Sequence, residues 1–121
     1  PGAWNETFEK YLRIRPDNDA DGCLQDIHWS AGLIGYFPTY TLGNVYAAQI
    51  YEAAERDLGE LAPQFEHGEF APLKEWLNRN IHAHGQIHPP RELVEVVTGD
   101  APDHGPLVRQ LESKYLAGRD S

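Results

Sequence analysis

An apolar pattern with helical spacing in the middle of the chain constrains the fold most strongly. Between Leu42 and Leu58, apolar residues recur every three or four positions and polar residues occupy the opposite face. Gly59 follows directly, where a helix C-terminus commonly carries glycine. The pattern predicts an amphipathic helix over about 42–58.

Four further segments have helical spacing, and each is bounded by proline or glycine. The predicted helices cover about 4–14, 72–85, 90–97 and 105–116. No alternation of period 2 persists, which predicts an all-α fold. The helices differ in length and spacing, unlike a bundle with matched apolar stripes, and the first begins at the chain's first residues. We therefore expect an irregular helical array in which residues 1–121 form one part of a larger α-helical protein.

Composition limits the classes of partner. The chain has 121 residues, the size of one domain or of part of one, with 10 Lys plus Arg against 19 Asp plus Glu. The net charge of −9 disfavours nucleic-acid binding, because phosphates are held by Lys and Arg. No apolar run approaches the roughly 20 residues that span a bilayer, so no membrane partner is expected. Cys23 is the only cysteine, which excludes a disulfide within the chain and fits a reducing, cytoplasmic location.

Candidate chemistry is concentrated in a glycine-bearing segment after the first predicted helix. Gly32, Gly35 and Pro38 make a long regular element between residues 30 and 39 improbable, and aromatic loops often carry function. Asp26 precedes His28 by two residues, a spacing at which a carboxylate can orient an imidazole. Such an imidazole can donate to a developing oxyanion or to a bound carboxylate. The alternative is a buried histidine held by a local hydrogen bond.

Tyr36 and Tyr40 follow His28 in the same segment. A phenol is a good neutral donor to a tetrahedral oxyanion. Tyrosines are also common in cores and interfaces, and composition alone favours that structural interpretation.

Two other polar clusters resemble metal sites in part, but each lacks a residue that such a site requires. Residues 17–22 carry three acids at alternate positions and then a glycine, as in half of a calcium loop. The twelfth position holds His28 in place of the required Glu, so we predict a polar turn. His82, His84 and His88 have no cysteine or acidic residue nearby to complete a tetrahedral set, and Gly85 indicates a helix end there.

The run GCLQDIHW, residues 22–29, matches the G-x-x-Q-D-x-H-W signature of the carboxypeptidase Taq family of metallocarboxypeptidases. Residues 35–49 and 72–85 also resemble the sequence of that family in the same order. The likeness covers nearly the whole chain. It implies that the chain is the C-terminal part of a large, mostly helical zinc peptidase.

The resemblance implies a cofactor and roles for individual residues. The family binds zinc through H-E-x-x-H and a downstream Glu, and neither is present here, so no residue of this chain is assigned as a metal ligand. His28 is the candidate for contact with the substrate near the scissile carbonyl. Tyr36 and Tyr40 are candidates for stabilising the oxyanion. Gln25 and Asp26 are expected to hold His28.

The resemblance also implies a peptide substrate, with release of single C-terminal residues at a groove of which this part forms one wall. Members of the family are often homodimers. We expect the isolated chain to be inactive and to expose apolar surface on its first helix and on residues 30–41, where the rest of the enzyme would pack. The alternative is a non-catalytic helical interaction module that retains the peptidase scaffold.

Overall fold

A computed structural model describes residues 1–116. Within that range it contains helices and no strand, so the predicted all-α class is confirmed. Six α-helices follow one another: α1 (Gly2–Leu12), α2 (Pro38–Leu58), α3 (Leu61–Glu66), α4 (Ala71–Asn80), α5 (Pro90–Thr98) and α6 (Gly105–Tyr115). Two 3₁₀ turns cover Cys23–Gln25 and His82–His84. In this part of the chain, no helix combines the length and the apolar character needed to cross a bilayer.

The structure differs from the predictions at four places. The helix predicted over about 72–85 ends at Asn80, and the segment that follows forms the 3₁₀ turn His82–His84. α1 ends at Leu12, because Arg13 turns left-handed (φ 60°) well before Pro16. α2 begins at Pro38, which was read as a breaker but occupies the first position of the helix, where its missing N–H costs nothing. α3 was not predicted, since it is only 6 residues long. The C-terminal glycine of α2 is confirmed, as Gly59 adopts a φ of 79°.

The chain divides into two compact units, residues 1–39 and residues 40–121. The second unit contains the core. Buried side chains from α2, α3 and α4 meet there: Ala53, Ala54, Leu61 and Trp76. Trp76 is 2% exposed, and its indole Nε1 donates to Asp57 Oδ2 at 2.7 Å, so the ring is buried without leaving its N–H unpaired.

A buried amide joins α2 to the connection between α5 and α6. Gln49 is 6% exposed, and its Nε2 lies 3.1 Å from Thr98 Oγ1 and from the carbonyl oxygens of Asp100 and Ala101. Its Oε1 accepts the backbone N–H of Asp103 at 2.9 Å. Both ends of the amide are therefore satisfied, which fixes the connection against α2.

The first unit has far fewer buried residues than the second. None of the residues in α1 is buried, and across residues 1–39 the single buried residue is Gly22. A Cβ at Gly22 would lie 2.8 Å from Pro16 Cγ and 3.3 Å from both Asn18 O and Trp4 Cζ3, so glycine is required by close packing. Large apolar side chains are exposed, among them Tyr11 (71%) in α1 and Ile34 (82%) in the later loop. This exposure agrees with the expectation for the first helix and for residues 30–41.

Candidate functional site

The loop that leads into the candidate site is held by local hydrogen bonds. Asn18 Oδ1 accepts the backbone N–H of Asp21 at 3.0 Å, and Asn18 Nδ2 donates to Asp21 Oδ2 at 2.7 Å. The prediction of a polar turn over 17–22 is thereby confirmed. The Gln25 side-chain amide donates to the carbonyl of Ala20, so Gln25 braces the loop backbone.

Asp26 and His28 form the central pair of the first unit. Asp26 Oδ1 accepts the backbone N–H of His28 at 2.8 Å and lies 2.6 Å from His28 Nδ1. Both side chains are half-buried, at 24% and 20% exposure. The two hydrogen bonds from His28, the backbone one first, lower the pKa of the Asp26 carboxyl below its usual value. Asp26 is therefore a carboxylate at neutral pH.

The charge on Asp26 determines which imidazole nitrogen carries a proton. A carboxylate only accepts hydrogen bonds, so the ring nitrogen facing it, Nδ1, is the protonated one. In the singly protonated ring, Nε2 is then a base and acceptor. In the doubly protonated ring, Nε2–H is a donor.

The aromatic rings of Tyr36 and Phe37 contact the imidazole of His28. The ring of Tyr36 stacks at a centroid distance of 5.8 Å and an interplanar angle of 21°. The ring of Phe37 approaches at 5.1 Å and 61°, an edge-to-face arrangement. These rings and the carboxylate of Asp26 are neighbours of the imidazole within the first unit.

The backbone brings these rings to His28 by a reversal after Trp29. The carbonyl of His28 accepts the N–H of Leu33 at 2.8 Å, and Gly35 adopts a φ of 80°, a conformation that favours glycine. The carbonyl of Tyr36 then accepts the backbone N–H of Thr39 at 3.0 Å and its hydroxyl at 2.6 Å. The backbone after Tyr36 is thus tied to the first turn of α2.

Two clefts open beside the Asp26–His28 pair within the first unit. The larger, about 760 Å³, is lined by Trp4, Phe8, Asp26, Trp29, Ile34, Gly35 and Phe37. The smaller, about 370 Å³, is lined by both Asp26 and His28, with Gln25 also on its wall. Asp26 and Phe37 line both clefts, so a ligand in either one would lie against the pair or its aromatic neighbour.

The predicted site residues fall into three groups. Asp26, His28 and Tyr36 are brought together, as described above. Gln25 lines the smaller cleft with His28, but its amide bonds to the loop backbone. Tyr40 belongs to the second unit, in the first turn of α2, and is 52% exposed.

Sequence reasoning missed Phe37. The only available signal was its place directly after Tyr36 in a loop with two glycines and a proline. Spacing along the chain does not reveal that the loop turns back, so a contact between Phe37 and His28 was not foreseen.

No metal centre is formed by the side chains of residues 1–116, since this range holds no group of three or more His, Cys, Asp or Glu that could bind an ion. The histidines after α4 make other contacts. His82 Nδ1 lies 2.8 Å from Asn78 Oδ1, and His88 Nδ1 lies 3.1 Å from Glu92 Oε1. A catalytic metal does not fit the residues described.

Comparison with known proteins shows that the chain is similar in sequence to carboxypeptidases. Thermostable carboxypeptidase 1 of Thermus thermophilus is 51% identical over 117 residues, which are 97% of this chain and 23% of that protein. Carboxypeptidase 1 of Bacillus subtilis is 42% identical over 115 residues, which are 95% of this chain and 23% of that protein. The chain therefore spans about a quarter of the length of the curated relatives it matches.

Solved structures agree with these sequence matches. Trypanosoma cruzi metallocarboxypeptidase 1 is similar with a TM-score of 0.91 and 38% identity, over 96% of this chain and 25% of that one. The M32 carboxypeptidase from Deinococcus radiodurans is similar with a TM-score of 0.89 and 43% identity, over 94% and 23%.

A family model covers almost the entire described range. The model for the carboxypeptidase Taq (M32) metallopeptidases matches residues 1–115, which include the GCLQDIHW motif around the Asp26–His28 pair. The resemblance inferred from that motif is confirmed: the chain belongs to the carboxypeptidase Taq (M32) metallopeptidase family.

Proposed function

We propose that residues 1–121 are the C-terminal region of a zinc-dependent carboxypeptidase that releases single residues from the C-termini of peptides. Family membership supports a metallopeptidase, and the relatives are about four times longer than this chain. In this proposal the zinc ligands belong to the remainder of the polypeptide, because residues 1–116 hold no suitable group. The chain by itself is then inactive.

The observation that carries the proposal for the site is the Asp26–His28 pair inside the family motif. In the doubly protonated ring, Nε2–H of His28 donates a hydrogen bond to the oxygen that becomes negative when the scissile carbonyl is attacked. Asp26 accepts a hydrogen bond from Nδ1–H and helps to orient the ring. A donor that is fixed in advance favours the transition state over the bound substrate, so it raises kcat.

Tyrosine supplies a second donor in this proposal. Tyr36 is supported by its stacking on His28, which keeps it within the same cluster. Tyr40 remains a candidate on the strength of the resemblance alone, and one of the two is structural. Gln25 acts indirectly by bracing the loop that carries the pair.

The partners follow from the same proposal. The substrate is a peptide with a free C-terminus, the enzyme works in the cytoplasm, and two copies form a homodimer. The net charge of −9 supports the absence of a nucleic-acid partner. No membrane partner is proposed.

The test of the site is made in the full-length polypeptide that contains this chain. His28→Ala should lower kcat by roughly 10²–10³, the usual cost of one oxyanion donor, while metal content and melting temperature stay at wild-type values. Asp26→Asn should lower kcat less, because the ring remains but loses its anchor. The matched control is His88→Ala, which breaks another histidine–carboxylate contact, that with Glu92, and should leave kcat unchanged. Wild-type kcat in a folded, metal-loaded His28→Ala enzyme would show that the motif is scaffold.

The isolated chain tests the location of the metal site. Elemental analysis of the purified 121-residue protein, followed by a carboxypeptidase assay with added zinc, should give neither stoichiometric metal nor turnover. One equivalent of tightly bound zinc together with turnover would place a complete active site within these residues and contradict the proposal.

A second candidate function is a non-catalytic interaction module. The exposed apolar side chains of the first unit favour it. The parent polypeptide distinguishes the two candidate functions. An upstream H-E-x-x-H motif and metal-dependent release of C-terminal residues are expected only if the parent is an enzyme.

A further inference from the structure

The larger of the two clefts beside the Asp26–His28 pair has no part in the chemistry proposed above. Its volume of about 760 Å³ lies within the range of roughly 300–1,000 Å³ that is typical of ligand sites. Large apolar side chains from α1 and from the loop after the motif form its walls: Trp4, Phe8, Trp29 and Ile34. Asp26 lines this cleft and also the smaller one that His28 lines, so the two clefts are adjacent.

One part of the wall is a pair of stacked rings on α1. Trp4 and Phe8 are four residues apart on the same helix face, and their ring centroids are 4.3 Å apart at an interplanar angle of 13°. The backbone at Gly22 also approaches the Trp4 ring closely, since a Cβ there would lie 3.3 Å from Trp4 Cζ3. The rings therefore present an ordered aromatic surface, which suits contact with an apolar or aromatic side chain.

Another part of the wall comes from the loop after the motif. Trp29 is 64% exposed and Ile34 is 82% exposed, although both side chains are large and apolar. The carbonyl of Trp29 accepts the backbone N–H of Gly32 at 3.0 Å, so the loop between them has a hydrogen-bonded turn. Exposed apolar side chains gathered on an ordered loop indicate a surface that contacts a partner.

The charges around the cleft indicate what kind of group enters it. Among the described residues that line the two clefts, none is Lys or Arg, and the carboxylate of Asp26 is ionised. An acidic side chain would meet a like charge there and no cation to pair with. An apolar protein segment that covered the cleft permanently would keep the carboxylate out of water, which is costly. A substrate side chain covers it only while the substrate is bound.

We propose that this cleft holds the side chain of the residue that the enzyme releases, and that Trp4, Trp29 and Ile34 give the enzyme a preference for large apolar residues at that position. A carboxypeptidase substrate has a single residue beyond the scissile bond, so discrimination on that side depends on one side chain. The inference rests on the proposed function, because it requires the scissile carbonyl to lie beside His28.

The test uses the full-length polypeptide and two N-blocked dipeptides, Ala-Phe and Ala-Ala, which differ only in the released residue. The ratio of their kcat/KM values should be about 100 in favour of Phe, because an apolar pocket discriminates by the apolar area it buries. Trp29→Ala removes part of the wall and Ile34→Trp fills the cleft. Each should lower the ratio by about 10-fold and leave the melting temperature unchanged, since both residues are exposed.

Tyr11→Ala is the matched control. Tyr11 is an aromatic residue of α1 that is 71% exposed and is not among the described residues that line either cleft. Its substitution should leave the ratio at the wild-type value. A second control replaces Ala-Phe with Phe-Ala, which moves the aromatic side chain to the other side of the scissile bond. The ratio of Phe-Ala to Ala-Ala should be the same in the wild type and in Trp29→Ala.

Several results would overturn the inference. One is a wild-type Phe-to-Ala ratio in both Trp29→Ala and Ile34→Trp, and another is an effect of Trp29→Ala on Phe-Ala as large as that on Ala-Phe. A lower melting temperature with equal losses for both substrates would mean that a segment of the remaining polypeptide fills the cleft. Faster release of Lys than of Phe would assign the cleft to cations.

The same substrates separate the inference from the proposed function. His28→Ala should lower kcat/KM for Ala-Phe and Ala-Ala by the same factor, because its donor acts on the carbonyl and the cleft acts on the side chain. If the metal-loaded full-length polypeptide released no C-terminal residue from any substrate, the proposed function would fail. Release without a preference that depends on Trp29 and Ile34 would refute the inference alone.

Discussion

The two units of the chain differ in what their side chains do. Residues 40–116 contain all of the buried apolar side chains found in residues 1–116, including Trp76 and Leu61. Residues 1–39 contain the Asp26–His28 pair and bury no apolar side chain. The unit that carries the family motif is thus the one with the weaker internal packing.

This difference separates stability from site geometry. The second unit is stabilised by burial, which contributes about 25 cal/mol per Å² of apolar surface. The first unit is shaped by short-range hydrogen bonds and by glycines, whose contributions are local and individually small. Substitutions of the same residue type in the two units should therefore change the free energy of unfolding by very different amounts.

The largest contrast is expected for tryptophan. Trp76→Ala should lower the free energy of unfolding by about 3–5 kcal/mol, because it opens a cavity in the core and leaves Asp57 without its indole partner. Trp29→Ala should change it by no more than about 0.5 kcal/mol, since Trp29 is 64% exposed. Urea denaturation of both variants of the 121-residue chain measures this. Equal losses would mean that the first unit contributes to the same core.

The next contrast concerns glutamine. Gln49→Ala removes the side chain that bonds the backbone N–H of Asp103 and the carbonyl of Ala101 at partly buried positions, which should cost about 1–3 kcal/mol. Gln25→Ala removes an exposed amide that bonds to the carbonyl of Ala20, and should cost at most about 0.5 kcal/mol. Comparable denaturation midpoints for the two variants would contradict this assignment of Gln49.

How well the sequence predicts each region depends on how local its interactions are. The helices over 42–58, 90–97 and 105–116 were predicted nearly as found, because a period of 3.6 residues is visible within each. α3 escaped prediction, since 6 residues make less than two turns of pattern. Pro38 was misread because proline both breaks helices and begins them, and only the following residues distinguish the two cases.

The same reasoning applies to the candidate site. Asp26 and His28 are two residues apart, so their contact follows from local geometry and could be proposed from spacing. The contact of His28 with Phe37 depends on a chain reversal at Gly35. A chain reversal leaves no periodic pattern in the sequence, so this contact could not be predicted from periodicity. The catalytic roles of His28, Tyr36 and Tyr40 stay predictions until kinetics test them.

A third contrast compares two glycines. Gly22→Ala places a Cβ against the rigid ring of Pro16 at 2.8 Å, and such overpacking costs about 1–3 kcal/mol. Because residues 1–39 form their own unit, the loss should appear as faster amide exchange there, with no change in the exchange of residues 40–116. Gly43→Ala meets no atom within 4 Å and should slow exchange in α2, since alanine favours the helix. Faster exchange throughout the chain in Gly22→Ala would show that the two units unfold together.

The smallest effect is expected from acid, and it should be confined to the first unit. The pKa of Asp26 is lowered because the backbone N–H and imidazole of His28 stabilise its carboxylate. A lowered pKa means that the ionised form stabilises the folded unit: this contribution is complete above the usual aspartate pKa of about 3.9 and is lost as pH falls through the lowered value. In the 121-residue chain, the Asp26 carboxyl carbon and the His28 amide should therefore titrate together, below the usual aspartate midpoint. Asp26→Asn should abolish the transition at His28, and because the pair is wholly local, the melting temperature set by the Trp76 core should not change. A midpoint for Asp26 at the ordinary aspartate value would mean that the carboxylate does not hold the imidazole in solution, and the site would then lack the anchor on which its proposed chemistry depends.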